Sequence, residues 1–110
     1  MKVLVTGSNG FIAGYLVSEL LASHTREGRY GGSFENRTRM LLETAARIRD
    51  RVPGVFVTTR MNAYDGIPYP YGFGVDRAEV SRPDLAEPLE LIRRLRALGI
   101  PILNVSVGNP

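Results

Sequence analysis

Two stretches of this 110-residue chain carry residue types and spacings that could do chemistry. The first is Gly7-Ser8-Asn9-Gly10, which closes the apolar run Val3-Leu4-Val5 and leads through Phe11-Ile12-Ala13 to Gly14. Glycines in such a turn let the backbone come close to a pyrophosphate, and a helix starting there offers free N–H groups and the positive end of its dipole. The same residues also suit a tight strand-to-helix turn that binds nothing, and spacing alone leaves both readings open. The second stretch runs from Met61 to Arg82 and is rich in Gly, Pro and Tyr. A loop of about twenty residues is uncommon in a compact domain. With Tyr64, Tyr69, Tyr71 and Phe73 in it, it is expected either to fold over a site or to pack as a surface loop.

Other chemistries are excluded by what the chain lacks. There is no cysteine, hence no disulfide framework, thiolate zinc site, cysteine-held iron–sulfur cluster or cysteine nucleophile. His24 is the only histidine. One imidazole cannot make a metal site, and the acids show no ligand spacing, so His24 is read as a structural hydrogen-bonding residue and no metal is expected. The formal charge of +3 comes from 14 basic and 11 acidic residues scattered along the chain. Such dispersal argues against nucleic acid as a partner and leaves small anions and phosphates. No apolar run is long enough to span a bilayer and no targeting segment is found, so the expected setting is the cytoplasm.

The elements that must position these residues follow from hydrophobic periodicity. At 44% hydrophobic content, 110 residues support one core and one domain. Residues 2–6 read as a buried strand and Phe11 to about Ser23 as a helix. Ser33 is the expected N-cap of a long helix with apolar positions Phe34, Leu41, Ala45, Ile48 and Val52, stopped by Pro53-Gly54. Val55 to Thr59 gives a β-branched strand running into Arg60. Asp84 with Glu87 reads as a capping box for a helix ending near Gly99, and Ile102 to Val107 as the last strand. The fold class is therefore α/β, a small three-stranded parallel sheet with helical crossovers.

Two family resemblances meet near residue 14. The opening Lys2-Val3-Leu4-Val5-Thr6-Gly7-Ser8-Asn9-Gly10-Phe11-Ile12-Ala13-Gly14 resembles the extended short-chain dehydrogenase and nucleotide-sugar epimerase family, whose Rossmann-like first βα unit carries a Gly-x-x-Gly-x-x-Gly turn. Gly7, Gly10 and Ala13 take the three places, and NAD(P) is the ligand this resemblance implies. The acidic residue expected about twenty positions further on to hold the ribose is replaced by Tyr30-Gly31-Gly32-Ser33.

From Gly14 to the end the chain resembles the old yellow enzyme family of NADH:flavin oxidoreductases. The resemblance is carried by Gly14-Tyr15-Leu16 and by Tyr30-Gly31-Gly32-Ser33-Phe34-Glu35-Asn36-Arg37. It continues through the strand ending in Arg60, Asp65-Gly66-Ile67-Pro68-Tyr69-Pro70-Tyr71-Gly72-Phe73-Gly74, the Asp84 to Glu87 helix start and Asn104 to Pro110. It implies a segment from the middle of an FMN-dependent (βα)8 TIM barrel that moves hydride from NAD(P)H through the flavin to an activated alkene. Tyr15 falls where the family places the tyrosine that protonates substrate carbon. Arg60 falls where an arginine reaches the flavin pyrimidine edge. Arg26, Arg29, Arg37 and Arg39 would then be a solvated, ion-paired barrel rim. As alternatives, Tyr15 would be a helix-face aromatic and Arg60 a strand-end ion pair.

Departures from the family pattern shape the functional expectation. Gly10 and Ala13 occupy the places of the histidine pair, or histidine and asparagine, that grips the substrate carbonyl. Losing such donors removes on the order of 3 kcal/mol each from a developing oxyanion. The chain also ends at Asn109-Pro110, before the strands that would hold the FMN phosphate. The expected function is thus a fragment or chimera of an FMN-dependent ene-reductase, inactive alone. The alternatives are a nucleotide- or NAD(P)-binding module using the glycine turn, or a non-catalytic α/β scaffold that forms a homo-oligomer through its sheet edges.

Overall fold

The structure is a computed structural model that describes residues 20–108. Its elements are α1 (Phe34–Arg51), β1 (Thr59–Tyr64), α2 (Ala86–Ala97) and β2 (Leu103–Val107). β1 and β2 pair in parallel and α2 makes the crossover between them, so the described chain contains one βαβ unit with α1 ahead of it. The α/β class holds. The sheet among the described residues has two strands, and the expected first strand, residues 2–6, lies outside them.

Both helices have ends with identifiable chemistry. Ser33 caps α1 as its sequence indicates, its side chain accepting from Asn36 N at 3.2 Å. At the far end of α2, Gly99 stands at φ +80°. Its N–H donates to Arg96 O at 2.8 Å and that of Ile100 to Leu95 O at 3.2 Å. This pair of bonds is the Schellman motif, and burial of Ile100 and Leu95 together in the core supplies its accompanying hydrophobic contact. The α2 N-terminus departs from expectation. Asp84 does accept from Ala86 N at 3.1 Å, but Leu85 is the N-cap and makes no side-chain cap bond. Glu87 turns away to Arg37 instead of closing a capping box. An arginine held nearby is a stronger partner for a carboxylate than one exposed backbone N–H. Pro88, buried in the first turn, sits where its missing N–H costs nothing.

The strands also shift from their expected places. Pairing begins at Thr59 opposite Leu103, four residues beyond the start of the β-branched run at Val55, and continues to Tyr64. Val55 itself is a bridge residue, but the ladder with β2 does not reach back to it, since Pro101, two residues before β2, has no N–H with which to extend that ladder backwards. A register shift between Asn62 and Tyr64 leaves Ala63 as the extra residue. The core lies on the Met61 face of β1, where Leu91 and Leu95 of α2 are fully buried with Ala45 of α1, Leu21, Phe73 and Ile100. Fully burying a leucine contributes roughly 1.5–3 kcal/mol, so these few side chains set how α1 and α2 sit on the sheet.

Candidate functional site

The two faces of the β1–β2 pair differ in chemistry. Alternation along β1 puts Met61 toward the helices and Arg60 and Asn62 on the opposite face. Register then places Asn104 beside Arg60 and Ser106 beside Asn62. Parallel strands are ordinarily buried on both faces and read as apolar runs, yet this face presents four polar side chains in a row. The upper pair is engaged with backbone: Asn62 donates to Gly108 O at 2.7 Å and Ser106 to Met61 O at 3.4 Å. Arg60 is exposed, and its guanidinium makes no ion pair or hydrogen bond with any described residue. A strand-end ion pair, the structural alternative for Arg60, is therefore not formed among the described residues.

The long segment after β1 folds back on itself. Asp65, 8% exposed, accepts from Ile67 N at 3.0 Å and Phe73 N at 2.7 Å, while its own N–H donates to Phe73 O at 3.2 Å. Gly74 O accepts from Asp84 N at 2.9 Å, and Val75 bridges Pro83 in antiparallel fashion. Phe73 and Val75 are buried, so the segment is packed against the body of the protein. It also walls a cavity of about 220 Å³ with His24, Tyr69, Arg77, Asp84 and Glu87 among its lining. Packing as a surface loop is what these contacts show.

His24 ties this cavity to the preceding segment. Its Nε2 lies 3.0 Å from Gly72 O, and because a carbonyl only accepts, Nε2 carries the proton. The ring meets Tyr69 edge-on at 5.0 Å, and Arg77 lies over the same Tyr69 ring at 5.0 Å. Burial, then the Arg37 charge, holds the His24 pKa below the ordinary imidazole value. The structural role expected for His24 is what the hydrogen bond shows. Among the described residues no group of three or more His, Asp or Glu could hold a metal ion, and no helix is long and apolar enough to cross a membrane.

The arginine cluster is corrected in one respect. Arg29 pairs with Glu43 at 2.9 Å and Arg39 lies 3.9 Å from the same carboxylate, as an ion-paired rim would. Arg37, however, is not solvated but 3% exposed. It donates to Glu87 through both terminal nitrogens at 2.9 and 2.7 Å, to Leu21 O at 2.8 Å and to Gly32 O at 2.9 Å. The turn ahead of α1 packs closely on Arg26, since a Cβ at Gly31 would overlap that residue.

Of the residues singled out from sequence, Arg60 is described and stands on the polar sheet face. Tyr15, Gly7, Gly10 and Ala13 lie outside the described residues. Asn104 was missed as a candidate, although the alternation Asn104-x-Ser106 repeats Arg60-x-Asn62 and is the signal that could have found it.

With this geometry in hand, comparison with known proteins shows two relevant likenesses. Over 97 residues the chain is 30% identical to an NADH oxidase of Thermoanaerobacter brockii, covering 86% of this chain and 13% of that protein. Over 98 residues it is 33% identical to an NADH:flavin oxidoreductase of Gibberella zeae, covering 86% of this chain and 23% of that protein. No family model matches the chain, and no solved structure matches it. The resemblance of residues 1–14 to short-chain dehydrogenases finds no support in either relative. Most of this chain therefore resembles oxidoreductases that by name use NADH or flavin, and it spans less than a quarter of the length of either.

Proposed function

We propose that this chain is a segment of an FMN-dependent NAD(P)H oxidoreductase of the ene-reductase kind, in which Arg60 is the cation that meets the flavin. The observation that carries this reading is an exposed Arg60 guanidinium, without a partner among the described residues, on a polar face of a parallel strand pair. The likeness to an NADH oxidase and an NADH:flavin oxidoreductase supports it. Binding sites in parallel α/β proteins gather at the carboxyl ends of the strands and in the loops that follow them, and the polar face on which Arg60 stands runs along β1 and β2 toward those ends. A flavin, when bound, supplies the hydride chemistry, taking electrons from a reduced nicotinamide and giving them to an unsaturated small molecule.

The chain's own residues would do the rest. Arg60 presents a planar fork of donors, which suits the carbonyl-rich pyrimidine edge and the negative charge that reduction places there. Tyr15 would donate its phenolic proton to substrate carbon. Gly10 and Ala13 offer no side-chain donor to a substrate carbonyl, so reduction of an enone by this chain alone should be far below ordinary enzymatic rates.

Titration of FMN with the chain, followed by flavin fluorescence, tests the reading. Quenching that saturates is expected, with affinity lowered about tenfold or more by Arg60→Ala and less by Arg60→Lys, which keeps the charge but loses the fork. An unchanged affinity in Arg60→Ala would remove Arg60 from the site. NADPH oxidation that responds to an added enone at ordinary enzymatic speed would overturn the expectation of inactivity.

A further inference from the structure

The cavity walled by the segment after β1 is lined by three charged side chains, Arg77, Asp84 and Glu87, besides His24 and Tyr69. Two of the three are engaged. Both Glu87 carboxylate oxygens accept from Arg37, at 2.9 and 2.7 Å, and Asp84 Oδ1 accepts from Ala86 N at 3.1 Å. Arg77 differs. It lies over the Tyr69 ring at 5.0 Å and makes no ion pair or hydrogen bond with any described residue. Contact with a ring face engages the charge of a guanidinium and none of its N–H donors. Tyr69 is in turn met edge-on by His24, and His24 is fixed by its bond to Gly72 O. Gly72, His24, Tyr69 and Arg77 in series therefore hold a cation with its donors unused at the wall of a cavity.

The chemistry of the occupant follows from what is left unused. Free donors suit an anion, and the planar fork of an arginine matches a carboxylate at two points. At about 220 Å³ the cavity lies below the roughly 300 Å³ at which pockets for drug-sized ligands begin, so a nucleotide is too large and an acid of a few carbons is not. Asp84 and Glu87 stand in the same wall, and their charges oppose a dianion more than a monoanion. We propose that this cavity is a binding site for a small monocarboxylate, held by Arg77 with its carbon body against Tyr69. The site shares no lining residue with the polar sheet face of Arg60, and it does not depend on the flavin reading.

His24 is the only histidine, so its ring-proton NMR resonance reports on the cavity by itself. Burial, then the Arg37 charge, holds its pKa down, with Arg77 adding to that effect and Glu87 opposing it; a carboxylate arriving at Arg77 brings a negative charge that raises it. Sodium propionate is the probe, with sodium chloride at matched ionic strength as the control and circular dichroism to confirm that each variant is folded. Propionate should move the His24 resonance saturably and raise its titration midpoint, and chloride should do neither. Arg77→Gln should weaken propionate about tenfold or more and Arg77→Lys less. Asp84→Asn, which removes a neighbouring negative charge and keeps an acceptor for Ala86 N, should tighten it about two- to fivefold. A purely structural role for Arg77 would leave that last response flat. The proposal is overturned if propionate moves the resonance no further than chloride does, if Arg77→Gln binds as wild type does, or if methylammonium chloride or inorganic phosphate binds more tightly than propionate.

Discussion

Arg37 and Arg60 are the same residue type in opposite circumstances. Arg37 is 3% exposed and joins the start of α1 to Glu87 at the start of α2, using its remaining donors on the carbonyls of Leu21 and Gly32. Arg60 stands on an open sheet face with a neutral amide beside it. A buried cation persists only when every donor is matched, and it then fixes the geometry of the elements around it. An exposed, unmatched one contributes little to stability and stays available to a ligand. The comparison separates residues that build this protein from residues that could act for it.

The largest expected effect breaks the first side of that comparison. Arg37→Met should destabilise the chain by about 3 kcal/mol or more, because a buried carbonyl, a partly buried one and a half-buried carboxylate lose their partner at once. Arg60→Met should stay within about 0.5 kcal/mol of wild type in the same urea denaturation. Equal losses would mean that Arg60 is structural after all. A substitution in the folded-back segment should fall between them. Gly74 has φ +74°, and a Cβ there would overlap Ala63 O, so Gly74→Ala should cost about 1–3 kcal/mol through strain.

A smaller effect should appear with pH. The folded state holds the His24 pKa below its ordinary value of 6.5, chiefly by burial. As pH falls through that value the unfolded chain takes up a proton that the folded chain resists, so stability should be full well above about pH 6.5 and fall as pH drops through it. Glu35, whose carboxyl is pulled down by its Arg94 partner, and Asp76, pulled down by the Ala78 and Glu79 amides, lose their stabilising forms only further down, in the carboxylate range. His24→Gln should flatten the drop in urea midpoint across the upper window. A drop of the same size in that variant would assign it elsewhere.

Much of the fold was legible in the chain. Ser33, the spacing of Phe34, Leu41 and Ala45, and Gly99 locate both described helices, because caps and apolar periodicity act within a few residues of sequence. The later strand was placed within one residue, at Leu103–Val107 against an expected start at Ile102. The earlier strand lies further along than its propensity indicates, at Thr59–Tyr64, because that is the stretch in register with β2. Of the candidate site, Arg60 came from a family resemblance, and its exposure beside Asn104, without a partner among the described residues, could only come from three dimensions.

By itself the sequence determined the α/β class, the helix boundaries and the lack of cysteine chemistry, since these follow from local patterns and from composition. Tertiary structure alone decided that Glu87 serves Arg37 instead of its own helix cap, that the segment after β1 folds onto the core through Asp65 and Phe73, and that Asn104 stands beside Arg60. Each of these is a meeting between residues far apart in the chain. Which partners meet is set by strand register and by the burial of Leu91, Leu95 and Met61, quantities that no short window of sequence contains.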